Sequence, residues 1–419
     1  MEADQPGNWL LGIWVGLFIL VAVLGGLRRI HFSSAVLPLN FVSIGLLVYP
    51  AYLAMHWTML HSQPVTMKAL GPEPALQGTA ENELPDIYYI VPEDYGRVDL
   101  LKSWDNIDTS QFVKYLKDTG FYVAECSQSN FAMESELSIG SALNMEYLQN
   151  LSPKFTATNL DQGPIWNVLR YNSVEADLKK IGYKTVAFAT GFAWSELDNS
   201  DVYITPPALW SSLNSFEIEL LRTTPIQRLE DAGVINLTEI DGERFRERTM
   251  LDFNSAATLA RMPGPKFVFI HIISPHEPFV FGADGKPIDP ALFMDQNQLY
   301  TPDQYKRGYQ QQVPFVDMEF EKMFTTLISK STRPLVIILQ TDTGPSYTNG
   351  PDEFKILNAY YMPGRTGQLY PGISPVNTFR VVFNAYLGTD LPLLNDVSYS
   401  SPIPQIYDFS PVPNPCSGK

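Results

Sequence analysis

Residues 86–97 read Asp-Ile-Tyr-Tyr-Ile-Val-Pro-Glu-Asp-Tyr-Gly-Arg, and this stretch decides the fold. The first seven, DIYYIVP, form a short run that is apolar and aromatic at consecutive positions, the pattern of a strand buried on both faces. The run stops at Glu93-Asp94-Tyr95-Gly96, two carboxylates and a glycine, which is turn chemistry. Similar runs recur at 120–125 (GFYVAE), 183–190 (YKTVAFAT), 266–273 (KFVFIHII) and 334–342 (PLVIILQTD). Helical patterns lie between them at 110–120, 136–150, 165–182 and about 305–330. Strands alternating with helices predict an α/β fold: a largely parallel sheet with helices on both faces. The last part, from about 355, is rich in Pro, Tyr and Asn and reads as irregular structure with short strands.

Upstream, the texture is different. Trp9 to Leu27 carries no charge over 19 residues, and Ala35 to Trp57 is also uncharged although Pro38, Asn40 and Pro50 interrupt it. At about 1.5 Å per residue the first run matches a ~30 Å hydrocarbon core. The acidic leader Met1–Asn8 lacks the basic residues of a signal peptide. Residues 1–57 are therefore expected to form two transmembrane helices in a multi-pass anchor, with the lipid bilayer as partner. Arg28 and Arg29 between the runs place the connector in the cytoplasm. Residues 58–84, with Pro64, Gly71, Pro72, Pro74 and Gly78, read as a linker, and 85–419 as one extracytoplasmic globular domain.

Composition narrows the function. Of 419 residues, 29 are Lys or Arg and 45 are Asp or Glu, a net charge of −16 with no basic patch, so no nucleic-acid partner is expected. The charged fraction is 18%, and 45% is hydrophobic, which excludes a disordered chain. Cys126 and Cys416 are too few for a disulfide framework or a four-cysteine zinc site, and Cys126 reads as a buried thiol. Only His271 and His276 lie outside the apolar N-terminal region. His271 sits within an apolar run and is expected to be a packed core residue. In open parallel sheets, ligands bind beyond the carboxyl ends of strands. Glu93 and Asp342 follow two strand runs, His276 follows a third, and Ser135 stands at the start of a helical pattern. Two carboxylates and a hydroxyl suit a hard cation such as Mn²⁺ or Mg²⁺, and a helix N-terminus favours an anion.

Five blocks extend this reading: IYYIVPEDYGRVDLL, SNFAMESELSIGSALNMEYL, FVFIHIISPHEPFVF, VIILQTDTGP, and ILNAYYMPG with YPGISPVNTFRVVFNAYLGTDLPLL. Over about 85–410 the chain resembles the membrane-anchored sulfatase-like branch of the alkaline phosphatase superfamily, near the lipoteichoic acid synthases and phosphoethanolamine transferases. The resemblance implies an alkaline-phosphatase-like fold with a divalent metal ion (Mn, Mg or Zn) at the strand ends. It implies metal binding by Glu93, Ser135 and Asp342, a nucleophilic hydroxyl at Ser135 with Glu134 as a competing alignment, and substrate contact by His276. The implied function is a phosphotransferase or phosphodiester hydrolase acting on an envelope or lipid-linked phosphate ester. Thr343 departs from the pattern, because relatives carry a metal-binding histidine there; water or His271 could fill the gap. That departure supports an alternative, a catalytically weak or inactive protein with a binding or scaffold role at the cell envelope. It also leads to the expectation that histidine at 343 would tighten metal binding. Cys126 does not begin the Cys-x-Pro-x-Arg pattern of formylglycine sulfatases, which disfavours sulfate-ester hydrolysis by that route.

Overall fold

Strand β1 (Asp86–Pro92) is completely buried and lies in the middle of a seven-stranded sheet. The computed structural model describes residues 84–419, apart from 133, 208–214, 295–298, 347, 349, 415 and 417–419, together with scattered helical positions between 16 and 55. The chain divides into two units, Met1–Gln63 and Pro64–Lys419. Among the described residues no helix is long and apolar enough to cross a membrane. The two expected spans and the linker at 58–84 lie largely outside the described residues.

The other strands of the sheet are β2 (Tyr122–Val123), β3 (Lys184–Phe188), β4 (Val202–Ile204), β5 (Lys266–Ile272), β6 (Leu335–Gln340) and β7 (Asn358–Tyr361). Their order is β2-β7-β6-β1-β5-β3-β4. From β6 through β4 all pairings are parallel, and β7 and β2 add an antiparallel edge. A separate hairpin joins β8 (Ser398–Ser400) to β9 (Ser410–Val412).

Alternation along β1 explains why its sequence is apolar from Ile87 onward. Ile87, Tyr89 and Val91 point into one core, with the helices Ser135–Asn144, Gly163–Arg170, Ser173–Lys180 and Pro375–Tyr386. Tyr88 and Ile90 point into the other, with the helices Ser110–Thr119, Ala256–Arg261 and Pro302–Lys330. Both faces of the strand are removed from water, so neither needs polar residues. At the amino end, the buried Lys266 ammonium pairs with buried Asp86, tying β5 to β1.

Two expectations fail here. The region after 355 is not all irregular: Pro375–Tyr386 is a 12-residue helix with Val376, Phe379, Val382 and Phe383 buried. Its proline is at the first helical position, where the missing N–H costs nothing. Nor is Cys126 a free thiol. It is bonded to Cys416 across a sequence separation of 290 residues. Closing so long a loop restricts the unfolded chain, so Cys416→Ser is expected to lower stability by about 2–5 kcal/mol. Thermal unfolding of the variant, compared with wild type with and without reductant, checks this: reductant should move only the wild type.

Candidate active site

Register places the site. Parallel pairing sets Ile90 opposite Leu339, so Glu93 and Asp342 each lie three residues past a matched pair. It also sets Val91 opposite His271, two residues before Glu93. Successive side chains alternate between faces, so Glu93 follows Val91 toward the same core as His271. That core also contains the helix Ser135–Asn144, whose first residue is Ser135. Asp94 turns the other way. It adopts a left-handed backbone (φ 62°), and its carboxylate faces the helix Pro302–Lys330.

The first face carries the notable atoms. Ser135 Oγ donates to Glu93 Oε1 at 3.4 Å, and His271 Nε2 lies 3.4 Å from Glu93 Oε2. One ligating atom each from Glu93, His271 and Asp342 lies within 4.8 Å of the others. Glu93 Oε2, Asp342 Oδ2 and both ring nitrogens of His271 are buried without a hydrogen-bond partner. His271 is 1% exposed and Asp342 2%. Orphaned polar atoms at such depth are costly unless something binds them. Two carboxylates and an imidazole form a donor set for Zn²⁺ or Mn²⁺. The residues therefore fit the divalent cation expected from sequence.

Electrostatics point the same way. Burial, then the charges of Glu93 and Asp94, push the Asp342 carboxyl up to about 7. Burial also acts upward on Glu93, but His276, His271 and the Ser135 hydroxyl more than offset it and hold that carboxyl below its ordinary range. His276 sits on the rim, pinned by Gln312, whose amide donates to its carbonyl at 2.9 Å. Burial alone would discharge its ring; the carboxylates of Glu277, Glu93 and Asp94 instead push it up to about 10 and keep it cationic. Glu93, Ser135 and His276 line a cavity of about 330 Å³, together with Glu134, Phe192 and Trp194. Glu134 precedes the helix without capping it and has neither Ser135's hydroxyl nor its contact with Glu93.

Thus the structure brings Glu93, Ser135 and Asp342 together and sets His276 beside them. His271, whose sequence neighbours are apolar, is both packed in the core and turned to the carboxylates, the place in which it could stand in for the missing histidine. Thr343 does something else. Its hydroxyl donates to Asp94 Oδ1 at 2.8 Å, while the Ser346 amide and hydroxyl and Tyr305 OH bind Asp94 Oδ2 at 3.0, 2.6 and 3.1 Å. A histidine at 343 would forfeit that bond, and an imidazole is already present from β5. The expectation of tighter metal binding by such a variant loses its basis.

No family model matches the chain, and no curated protein matches it. Solved structures do resemble it. The C-terminal periplasmic domain of EcEptC from Escherichia coli is 12% identical with a TM-score of 0.48, covering 80% of this chain and 94% of that one. The integral membrane lipooligosaccharide phosphoethanolamine transferase A from Neisseria meningitidis is 12% identical with a TM-score of 0.45, covering 90% and 66%. A phosphonate monoester hydrolase of Agrobacterium radiobacter is 11% identical with a TM-score of 0.47, covering 75% and 80%. All three likenesses are distant, with TM-scores below 0.5. What the site can do rests on its own geometry.

Two outcomes are expected. Thr343→Val removes one hydrogen bond to a buried carboxylate and should cost about 1–3 kcal/mol in denaturant unfolding, with Mn²⁺ affinity little changed. Thr343→His should bind Mn²⁺ no more tightly than wild type. The second outcome concerns pH. Asp342 must be ionised to hold a cation, and burial raises its pKa to about 7. Mn²⁺ affinity by calorimetric titration should be level above that pH and fall below it, by up to about tenfold per unit for each proton displaced. Asp342→Asn should remove both the slope and most of the affinity.

Proposed function

We propose that this chain is a metal-dependent transferase or hydrolase of phosphate esters, with Ser135 as nucleophile and Glu93, His271 and Asp342 as the groups that hold the metal. The observation that carries the reading is the convergence of unpartnered, buried Glu93, Asp342 and His271 atoms beside the Ser135 hydroxyl. A bound divalent cation would neutralise charge on the transferring phosphoryl group and ease ionisation of a neighbouring hydroxyl.

The chain's own groups have the following parts. Ser135 Oγ attacks phosphorus; the new bond is Oγ–P, and the ester bond to the leaving oxygen breaks. Glu93 Oε1 already faces the hydroxyl proton and accepts it as Oγ attacks. Cationic His276 stands at the rim, where it binds a phosphoryl oxygen or returns a proton to the leaving oxygen. The amino end of the ten-residue helix Ser135–Asn144 presents free backbone N–H groups to the same anion. A second substrate, water or an alcohol, then attacks phosphorus and gives its proton to His276; the Oγ–P bond breaks, and Ser135 Oγ takes back the proton held by Glu93.

The proposed setting is the outer side of a membrane. The disulfide between Cys126 and Cys416 supports an oxidising compartment. The uncharged runs 9–27 and 35–57 support an anchor, and the described residues within them, such as Ile19, Phe41 and Leu47, are helical with exposed apolar side chains. An envelope or lipid-linked phosphate ester is the substrate class that suits an anchored domain.

The test is hydrolysis of bis(p-nitrophenyl) phosphate by the Mn²⁺-loaded protein. Ser135→Ala should lose about 10³-fold or more in turnover while still binding Mn²⁺. Turnover unchanged by Ser135→Ala would remove Ser135 from the mechanism. A metal-loaded wild type without turnover would leave the binding or scaffold role in its place.

A further inference from the structure

A histidine that binds a metal ordinarily donates its other ring N–H to a carboxylate or carbonyl, and that bond sets the ring's orientation. His271 has no such partner at Nδ1: Nε2 faces Glu93 Oε2 at 3.4 Å, and Nδ1 is buried without a hydrogen bond. Rings hold it instead. The Trp194 indole lies against the imidazole with centroids 5.2 Å apart, and Phe269 lies at 6.4 Å. Phe269 belongs to the same strand, but Trp194 comes from the connection between β3 and β4.

That connection is held in one shape by its own hydrogen bonds. Glu196 accepts from the backbone N–H of Gly191 at 2.7 Å and of Thr190 at 3.3 Å, and Tyr203 OH also donates to it. The Thr190 and Ser195 hydroxyls bond at 2.8 Å, and Phe192 N donates to Thr190 Oγ1 at 3.1 Å. Gly191 has φ +86°, and a Cβ there would lie 2.5 Å from Arg248 Nη1, so the turn is closed to other residues. The clip spans 190–196, and its Trp194 reaches the cavity wall beside Ser135 and Glu93.

We propose that Trp194 is the positioning residue for His271: the indole, carried on the Glu196-locked clip, takes over the orienting task that a hydrogen bond performs for other metal-binding histidines. The affinity and ligand geometry of the centre are then set by a loop that contributes no ligand. This rests on the reading of Glu93, His271 and Asp342 as the metal's holders.

Co²⁺ serves as the probe on the full chain, read by its visible absorption and by fluorescence. Wild type should bind Co²⁺ and Asp342→Asn should not. Trp194→Ala should weaken binding by about 10–100-fold and change the Co²⁺ spectrum, whereas Trp194→Phe, which keeps a ring, should stay within about threefold of wild type. Glu196→Gln, which loosens the clip without touching the ring, should shift the spectrum in the same direction as Trp194→Ala and decides the matter should that variant not fold. Equal Co²⁺ binding by wild type and Asp342→Asn would overturn the metal reading itself. A Co²⁺-binding wild type whose affinity and spectrum survive Trp194→Ala, or Glu196→Gln in its stead, would overturn the positioning role alone.

Discussion

Parallel pairing of β1 between β5 and β6 is the constraint on which the site depends. Three backbones run side by side in register, so residues distant in sequence finish at one height along the sheet. Glu93, His271 and Asp342 are 178 and 71 residues apart along the chain (271 − 93, then 342 − 271), yet their ligating atoms lie within 4.8 Å. Burial of β1 on both faces makes the register hard to slip, because moving one residue would exchange every side chain between two filled cores. The rigidity of the site is thus inherited from the strand interior.

The turn after β1 then divides two neighbouring carboxylates. Glu93 continues the strand's alternation toward Ser135, and the left-handed backbone of Asp94 sends its carboxylate to the opposite core. There Thr343, Ser346 and Tyr305 supply four hydrogen bonds, so its charge is spent on holding the turn and the loop after β6 together. One acidic group is left short of partners and its neighbour is saturated with them. Asp94 still acts on the site through its charge, because it lines the same cavity and its Oδ2 lies 3.9 Å from His276 Nε2.

The strands and the carboxylates after them were legible because a doubly buried strand ends abruptly in polar turn residues. Ser135 was legible for a similar reason, at the junction of a polar loop and an apolar helix. His271 was legible only as a possible stand-in for the missing ligand, because alternation along β5 shows which face it takes but not that its neighbours on that face are acidic; that needs the register to β1. Thr343 was read as a lost ligand, since its tie to Asp94 crosses 249 residues. The helix Pro375–Tyr386 was hidden by its proline and asparagines, which suggest a loop when a cap is not considered. The clip at 190–196 has a hydrogen-bond pattern that no periodicity announces.

The bond between Cys126 and Cys416 makes most of the globular domain a covalent ring. Five of the seven strands of the sheet, β3 to β7, lie within it, and only β1 and β2 precede it. A protease cutting an exposed loop anywhere inside that ring opens a circle without severing it. The nicked molecule keeps one covalent body, its halves stay at intramolecular concentration, and re-docking competes with escape. In a compartment shared with proteases, a cut would then cost this domain a peptide bond and leave its sheet assembled.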